Sequence, residues 1–410
     1  MEKITHYYVE NPTVFDQLMK PVETLIKEQS EKLTSHHNEK FFFPDFFRLL
    51  IYYFVSGTQS IGLLINALKK NTLPPELKLR RVARSTFNDA FERFSSDLFK
   101  TIFISLLSSL SLKAIPEIES LGVIYCVDGS LFPTMSSMLW AEYKKNSKAI
   151  RLHLCYELNR MIPVEIIVGS GNSSEREALR KMLANDITYI ADRGYSCFRL
   201  FNDILRAQAH LIFRVKDNLT IDDIIESLSM SLPKSVQFLF TDVSDQLIRY
   251  KSDPHKNIYR LVCFRVGKEV YHILTDRRDL STFQIITLYA YRWQIELFFR
   301  FLKRTMTGIH LINNYPNGIT IQFYSMLISA LLQLKMKQDI AWQQQDHEQI
   351  IDNDSGCENQ ETFSHPYQFF AMIGKKLKIF WKIGIYWLST LRQILHKPYD
   401  DSAITLLDSG

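Results

Sequence analysis

Between residues 121 and 216, apolar and polar positions fall into short blocks that predict strands and helices by turns. LGVIYCVDGS (121–130) is a continuous apolar run that closes on Asp128 and Gly129, the pattern of a buried strand. AIRLHLCYEL (149–158) alternates, as a half-covered strand does, and MIPVEIIVGS (161–170) is a further apolar run. The Asn159-Arg160 turn between them predicts a hairpin. SSEREALRKMLA (173–184) predicts a helix, with Ser174 and Glu177 at capping-box spacing. ITYIAD (187–192), CFRLFNDILRAQ (197–208) and HLIFRVK (210–216) then predict strand, helix and strand. The order strand, hairpin, helix, strand, helix, strand is that of a mixed α/β sheet.

The flanks have a different texture. Residues 1–120 predict helices: DFFRLLIYYFV (45–55) is strongly apolar, SIGLLINALKK (60–70) has helical spacing and a basic end, and KLRRVARSTFNDAFERF (78–94) takes Ser85 as its N-cap. Within 217–280, VQFLFTDV, QLIRYK, IYRLVCFRV and EVYHILTD predict antiparallel strands that interrupt the α/β pattern as a β-rich insertion. After Asp279 and Ser281 one long helical pattern runs to about Met306, and another covers 318–338. Residues 343–363 are polar and predict a linker. KKLKIFWKIGIYWLSTLRQIL (375–395) predicts a basic amphipathic helix that packs on the body, meets a second protomer or touches DNA. The expected division is a helical region at 1–120, an α/β core at 121–311 and a helical C-terminal region at 312–410.

Composition narrows the class. With 410 residues, 46% hydrophobic and 23% charged, the chain supports a globular core and excludes global disorder. A net charge of +5 permits a polyanionic partner without requiring one. Five scattered cysteines with no C-x-x-C pair predict free thiols and a reducing compartment. The N-terminus lacks the apolar run of a signal peptide, and ITIQFYSMLISALLQL (319–334) carries Thr, Gln and Ser. The expectation is a soluble cytoplasmic protein with no membrane partner.

Chemistry concentrates at three places. Asp128 and Asp192 each close an apolar strand and are followed by a turn residue, Gly129 in one case and Gly194 after Arg193 in the other. Carboxyl ends of sheet strands form shared crevices, and paired acids without Cys or His suit a hard cation, Mg²⁺ or Mn²⁺. In LYAYRWQIELFFRFLKRTMTGIHL (288–311), helical spacing puts Ile295, Phe298, Phe299 and Leu302 on a core stripe. Tyr289, Arg292, Glu296, Arg300 and Lys303 fall on a second stripe, either a surface ion-pair ladder or a third acid set among phosphate-binding cations. Lys78, Arg80, Arg81 and Arg84 form a basic patch that either contacts DNA phosphates or ends a solvated helix.

Asp128, Asp192 and Glu296, with Tyr289, Arg292 and Lys303 in a Y-x-x-R-x-x-x-E-x-x-x-x-x-x-K arrangement, resemble the DDE transposases of bacterial insertion sequences, in the large family numbered four. The blocks YCVDGS and TYIADRGY resemble that family's aspartate blocks, and the resemblance covers about 121–311. It implies a ribonuclease-H-like core with a β-rich insertion before the glutamate helix. It implies Mg²⁺-dependent cleavage at transposon ends, strand transfer into target DNA, and a dimer that joins two ends on double-stranded DNA at the nucleoid. Asp128, Asp192 and Glu296 become the expected catalytic and metal-binding acids. Tyr289, Arg292 and Lys303 become the expected contacts to terminal DNA, with Arg300, Arg193, Arg80, Arg81 and Arg84 as further DNA-binding candidates. Arg193 either orients Asp192 or meets phosphate. Trp293 either stacks on a base or is buried. A structure-specific nuclease of the same fold and a DNA-binding protein without catalysis are the alternatives.

Overall fold

The computed structural model describes residues 12–352 apart from 35–38, 111–115, 135, 146, 231, 234–239 and 306–310. The sequence-predicted helix at 375–395 and the second half of the polar linker lie outside the described residues. In chain order the helices are α1 (Pro12–Glu31), α2 (Phe43–Ser56), α3 (Ile61–Lys69), α4 (Arg84–Arg93), α5 (Ser96–Ser109), α6 (Pro116–Glu119), α7 (Glu175–Lys181), α8 (Phe198–Arg206), α9 (Thr282–Tyr291), α10 (Trp293–Thr305) and α11 (Pro316–Asp352). The strands are β1 (Val123–Pro133), β2 (Glu142–Lys144), β3 (Ser147–Glu157), β4 (Ile162–Ser170), β5 (Ile187–Ala191), β6 (His210–Arg214), β7 (Ile221–Ser227), β8 (Thr241–Tyr250), β9 (Tyr259–Val266) and β10 (Glu269–Thr275). The chain divides into two compact units. Among the described residues, those from 12 to 110 share one with the segment 300–352, and those from 116 to 299 form the other.

The first unit is helical. The aromatic run of α2 buries nearly every side chain from Phe43 to Ser56. Phe46 meets Phe91 edge-on at 4.9 Å, and Phe47 stacks on Phe99 at 5.3 Å; such pairs add about 0.5–1.5 kcal/mol beyond the area they bury. Gly57, at φ 69°, ends α2 in the left-handed conformation that favours glycine. The long helix α11 packs against α1, α2, α4 and α5. Asn317, in its first turn, donates to the Phe91 and Phe94 carbonyls and accepts from Ser96 N–H. One side chain thus satisfies the end of α4 and the start of α5. Residues 316–336 have the length and apolarity of a membrane span, but 78% of their most apolar window is buried inside the protein. Two predictions for this unit are corrected. The N-cap of α4 is Ala83, one turn residue ahead of Arg84, and Ser85 lies inside the helix. Residues 343–352, read as linker, continue α11.

The second unit is a mixed α/β sheet. Among the described residues its strand order is β2-β3-β1-β5-β6-β10-β9-β8-β7, with β4 also paired to β3. The hairpin β3–β4 runs antiparallel, β3 pairs antiparallel with β1, and β1, β5 and β6 are mutually parallel. Helix α8 crosses from β5 to β6, as parallel neighbours require. One face buries Val127, Tyr189, Ala191, Leu211 and Phe213 with Leu200, Phe201 and Ile204 of α8. Alternate residues Ile124, Cys126, Ile190, Ile212 and Ile273 are buried as well. Helix α9 packs against β5, β6, β9 and β10.

Three readings change here. β1 does not end on Asp128; it runs on to Pro133, because residues 129–133 keep their ladder with β3. The segment 217–280 is β-rich, but β10 pairs with β6, so it extends the core sheet. Within it, the end of the predicted VQFLFTDV and most of the predicted QLIRYK lie on one strand, β8, while residues 236–239 are outside the described residues. The acidic edge strand β7, exposed along its whole length, escaped the sequence reading because IDDIIES has no clean alternation.

Candidate active site

Parallel pairing sets the geometry of the two aspartates. Throughout the β1–β5 ladder, residue i of β1 lies beside residue i + 64 of β5. Asp128 and Asp192 have that same separation, two residues beyond the paired Cys126 and Ile190. They therefore stand abreast on neighbouring strands, and the period of two puts both side chains on one face. Each carboxylate is held locally. Gly129 N–H donates to Asp128 Oδ1 at 2.8 Å, and Gly194 N–H donates to Asp192 Oδ1 at 2.8 Å. Asp192 caps the short 3₁₀ turn Arg193–Tyr195.

Asp128 is pushed up to about 7, chiefly by burial. The negative charges of Asp192 and Glu175 add to this, while the Gly129 N–H bond and the Arg292 guanidinium oppose it. A carboxylate in this state favours an added cation.

The predicted single helix from 281 to 306 is two helices that meet at Arg292. Ser281 and Gln284 form a capping box at the start of α9. Tyr289 ends α9, and Glu296 lies in the first turn of α10. Arg292, at the junction with its side chain only 15% exposed, donates from Nη2 to Glu296 Oε1 at 2.6 Å. Burial disfavours its charge, but Tyr289, Glu296 and Asp128 outweigh that and hold its pKa above the ordinary value. Arg292 thus ties the Glu296 helix electrostatically to Asp128. The Tyr289 ring lies beneath the same guanidinium, 5.9 Å from its carbon, and meets Tyr271 edge-on. Tyr289 is buried, and burial raises its pKa.

Among the described residues, no three His, Cys, Asp or Glu side chains stand close enough to hold a metal ion. The two aspartates are adjacent, and Glu296 is engaged by Arg292. The donor chemistry itself, carboxylate oxygen with no thiolate or imidazole, fits a hard divalent cation.

The remaining candidates scatter. Arg193 is exposed and makes no ion pair among the described residues; the bond that orients Asp192 comes from Gly194 N–H instead. Trp293, for which burial was one expectation, is 46% exposed. Arg300 is half-buried and Lys303 exposed. In the helical unit Arg80 pairs with Asp45, Arg81 with the Asn71 side-chain carbonyl, and Arg84 is exposed at the start of α4. His153 is buried and bonded to Ser173 Oγ at 2.9 Å, and burial with the Arg151 and Lys181 charges pushes it down to about 4. That is the behaviour of a neutral core histidine. Sequence reasoning missed Arg151 and Glu175, which pair at 2.5 Å beside the aspartates.

Comparison with known proteins matches residues 119–332, just over half of the chain, to the transposase DDE domain. The chain belongs to the DDE transposase family. Its curated relatives include y4zB of Sinorhizobium fredii, which carries the name of a transposase and is 24% identical over 220 residues, 53% of this chain and 62% of that one. The transposase named for insertion sequence element IS5377 of Geobacillus stearothermophilus is 22% identical over 263 residues, 63% of this chain and 68% of its own length. The match to y4zB therefore leaves more than a third of that relative uncovered. Among solved structures, endonuclease V of Bacillus subtilis aligns with 48% of this chain and 84% of its own at 13% identity, with a TM-score of 0.23.

Proposed function

We propose that this DDE transposase cleaves DNA at the ends of an insertion sequence and joins the 3′-hydroxyl ends to target DNA, with Asp128, Asp192 and Glu296 as its catalytic carboxylates. The observation that carries the reading is the placement of Asp128 and Asp192 abreast on β1 and β5, with the Arg292–Glu296 pair electrostatically coupled to Asp128. The antiparallel β4-β3-β1 block joined to parallel β1-β5-β6 supports a ribonuclease-H-like core.

Asp128 and Asp192 would hold Mg²⁺, or Mn²⁺ in its place, and Glu296 would complete the set by exchanging Arg292 for the ion. When bound, the ion activates the attacking water or 3′-hydroxyl and stabilises the leaving oxygen. The protein's own groups prepare that chemistry. Gly129 and Gly194 N–H groups fix one oxygen of each aspartate and leave the other free. Arg292, planar and permanently charged, neutralises phosphate in a two-pronged contact once released. Tyr289, backed by Tyr271, gives that guanidinium a fixed seat. Arg193, Arg300 and Lys303 would add cationic contacts to DNA, and in the helical unit Arg80, Arg81 and Arg84 would supply others, any cation that has a partner exchanging it for phosphate. A homodimer would bring two DNA ends together.

Incubation of the protein with labelled terminal inverted-repeat DNA, Mg²⁺ and a target plasmid tests the reading. Joined products support it. Cleavage without joining assigns the protein to the nucleases, and binding alone makes it a DNA-binding protein. Asp192→Ala is expected to abolish cleavage and spare end binding, measured by gel shift; cleavage that survives removes Asp192 from the site.

A further inference from the structure

The glycine after each aspartate has a cause other than backbone conformation. Neither Gly129 nor Gly194 has a positive φ, so any residue tolerates the backbone there. A side chain there instead crowds a carboxylate, which must shift to admit it. A Cβ on Gly129 would lie 2.9 Å from Glu175 Oε1 and 3.3 Å from Arg151 Cδ. A Cβ on Gly194 would lie 3.0 Å from Asp192 Oδ1 and 3.5 Å from Glu175 Oε2. One carboxylate therefore rests against both aspartate-bearing segments, an oxygen toward each.

Glu175 is held in that position from two sides. Arg151, on β3, donates to its Oε1 at 2.5 Å, and both side chains are half-buried. The next residue, Arg176, donates from Nε and Nη2 to the Gly194 carbonyl at 3.1 and 2.9 Å. The start of α7 thus clamps the turn that follows Asp192. The charges are mutually felt: Glu175 contributes to the upward shift of Asp128, and Asp192 contributes, after burial, to that of Glu175.

We propose that Glu175, oriented by Arg151, is a positioning residue for the Asp128–Asp192 pair, and that its charge strengthens the hold of that pair on a divalent cation. The cation half of this statement rests on the metal-binding reading given above. Glu175 acts through the aspartates: it fixes the distance between their segments and adds a negative charge that a divalent ion offsets.

The test uses the full chain, with Mn²⁺ as probe and the resonance signal of free Mn²⁺ as the binding readout, beside thermal unfolding in chelator. Asp192→Asn is expected to lose binding. Glu175→Gln, which keeps size and shape, is expected to raise the Mn²⁺ Kd about tenfold, the low end of what supporting groups cost a metal site, without lowering Tm. Gly129→Ala is expected to lower Tm in the native background and to have little effect when Glu175→Ala has already removed the obstructing carboxylate. A native Kd in Glu175→Gln, with binding lost in Asp192→Asn, overturns the charge role. An equal Tm loss from Gly129→Ala in both backgrounds overturns the positioning contact. Native binding in Asp192→Asn instead overturns the metal reading, and the charge role with it, leaving the Gly129–Glu175 cycle to judge the positioning role.

Discussion

Asp128 carries a pH dependence whose sign follows from its surroundings. Burial and two neighbouring carboxylates raise its folded pKa to about 7, above its ordinary 3.8. Between those values the folded chain binds a proton that the unfolded chain has released, so its contribution to stability falls as pH rises through that window and levels off above it. Asparagine at 128 has no such dependence. In chelator, the stability of Asp128→Asn relative to the native chain should therefore increase from about pH 4 to about pH 7, by up to roughly 1.4 kcal/mol per pH unit, and then stay flat. Denaturant midpoints measured across that range check this; a constant difference would mean that Asp128 titrates normally. Both aspartates were legible in the sequence because an apolar strand with a terminal acid is a local pattern. Even their alignment was latent, since their separation equals the register offset of β1 and β5. Glu175 was not legible. It reads as an ordinary acid in the first turn of a helix, and only the fold brings it against Gly129 and Gly194.

The helix that bears Glu296 depends on the one before it. Helix α9 is anchored at its start by a buried ion pair. Arg260 of β9 holds Asp245 of β8 at 2.9 and 2.7 Å, Asp245 also accepts from Thr282 Oγ1 at 2.7 Å, and Arg260 donates to the Leu280 carbonyl. Both side chains are nearly inaccessible. Removing one partner should cost about 3–5 kcal/mol, whereas replacing both with apolar residues of similar size should recover most of that loss. Unfolding of Asp245→Ala, Arg260→Met and an Asp245→Leu/Arg260→Met double variant measures the difference. On α10, Lys303→Ala should weaken binding to DNA ends and flatten its salt dependence by about one unit of slope. An unchanged slope would count against a phosphate contact. The periodicity of 281–306 predicted helix correctly but hid the break at Arg292, because a junction that stays in the right-handed helical region leaves no glycine or proline to mark it.

At the scale of the whole molecule, the helical unit is built from two distant parts of the chain. Helices α1, α2, α4 and α5 share their core with α11, and Asn317 completes the ends of α4 and α5. A chain that stops at residue 311 should therefore lose cooperative unfolding of residues 12–110 and bind a hydrophobic dye, although that segment is intact. Retained cooperativity would show that α11 is dispensable. The sequence placed helices at both ends but could not pair them, since an apolar stripe does not name its partner across about 200 intervening residues. That discontinuity also sets an order of events at the ribosome. The strands and helices from β1 to α9 have all emerged before α11, for which the helical core of α1, α2, α4 and α5 still waits. At about 5–20 residues per second, α5 and its neighbours are exposed for roughly 10–40 s before their missing wall is synthesised. The helices made first thus wait longest for the wall that covers them.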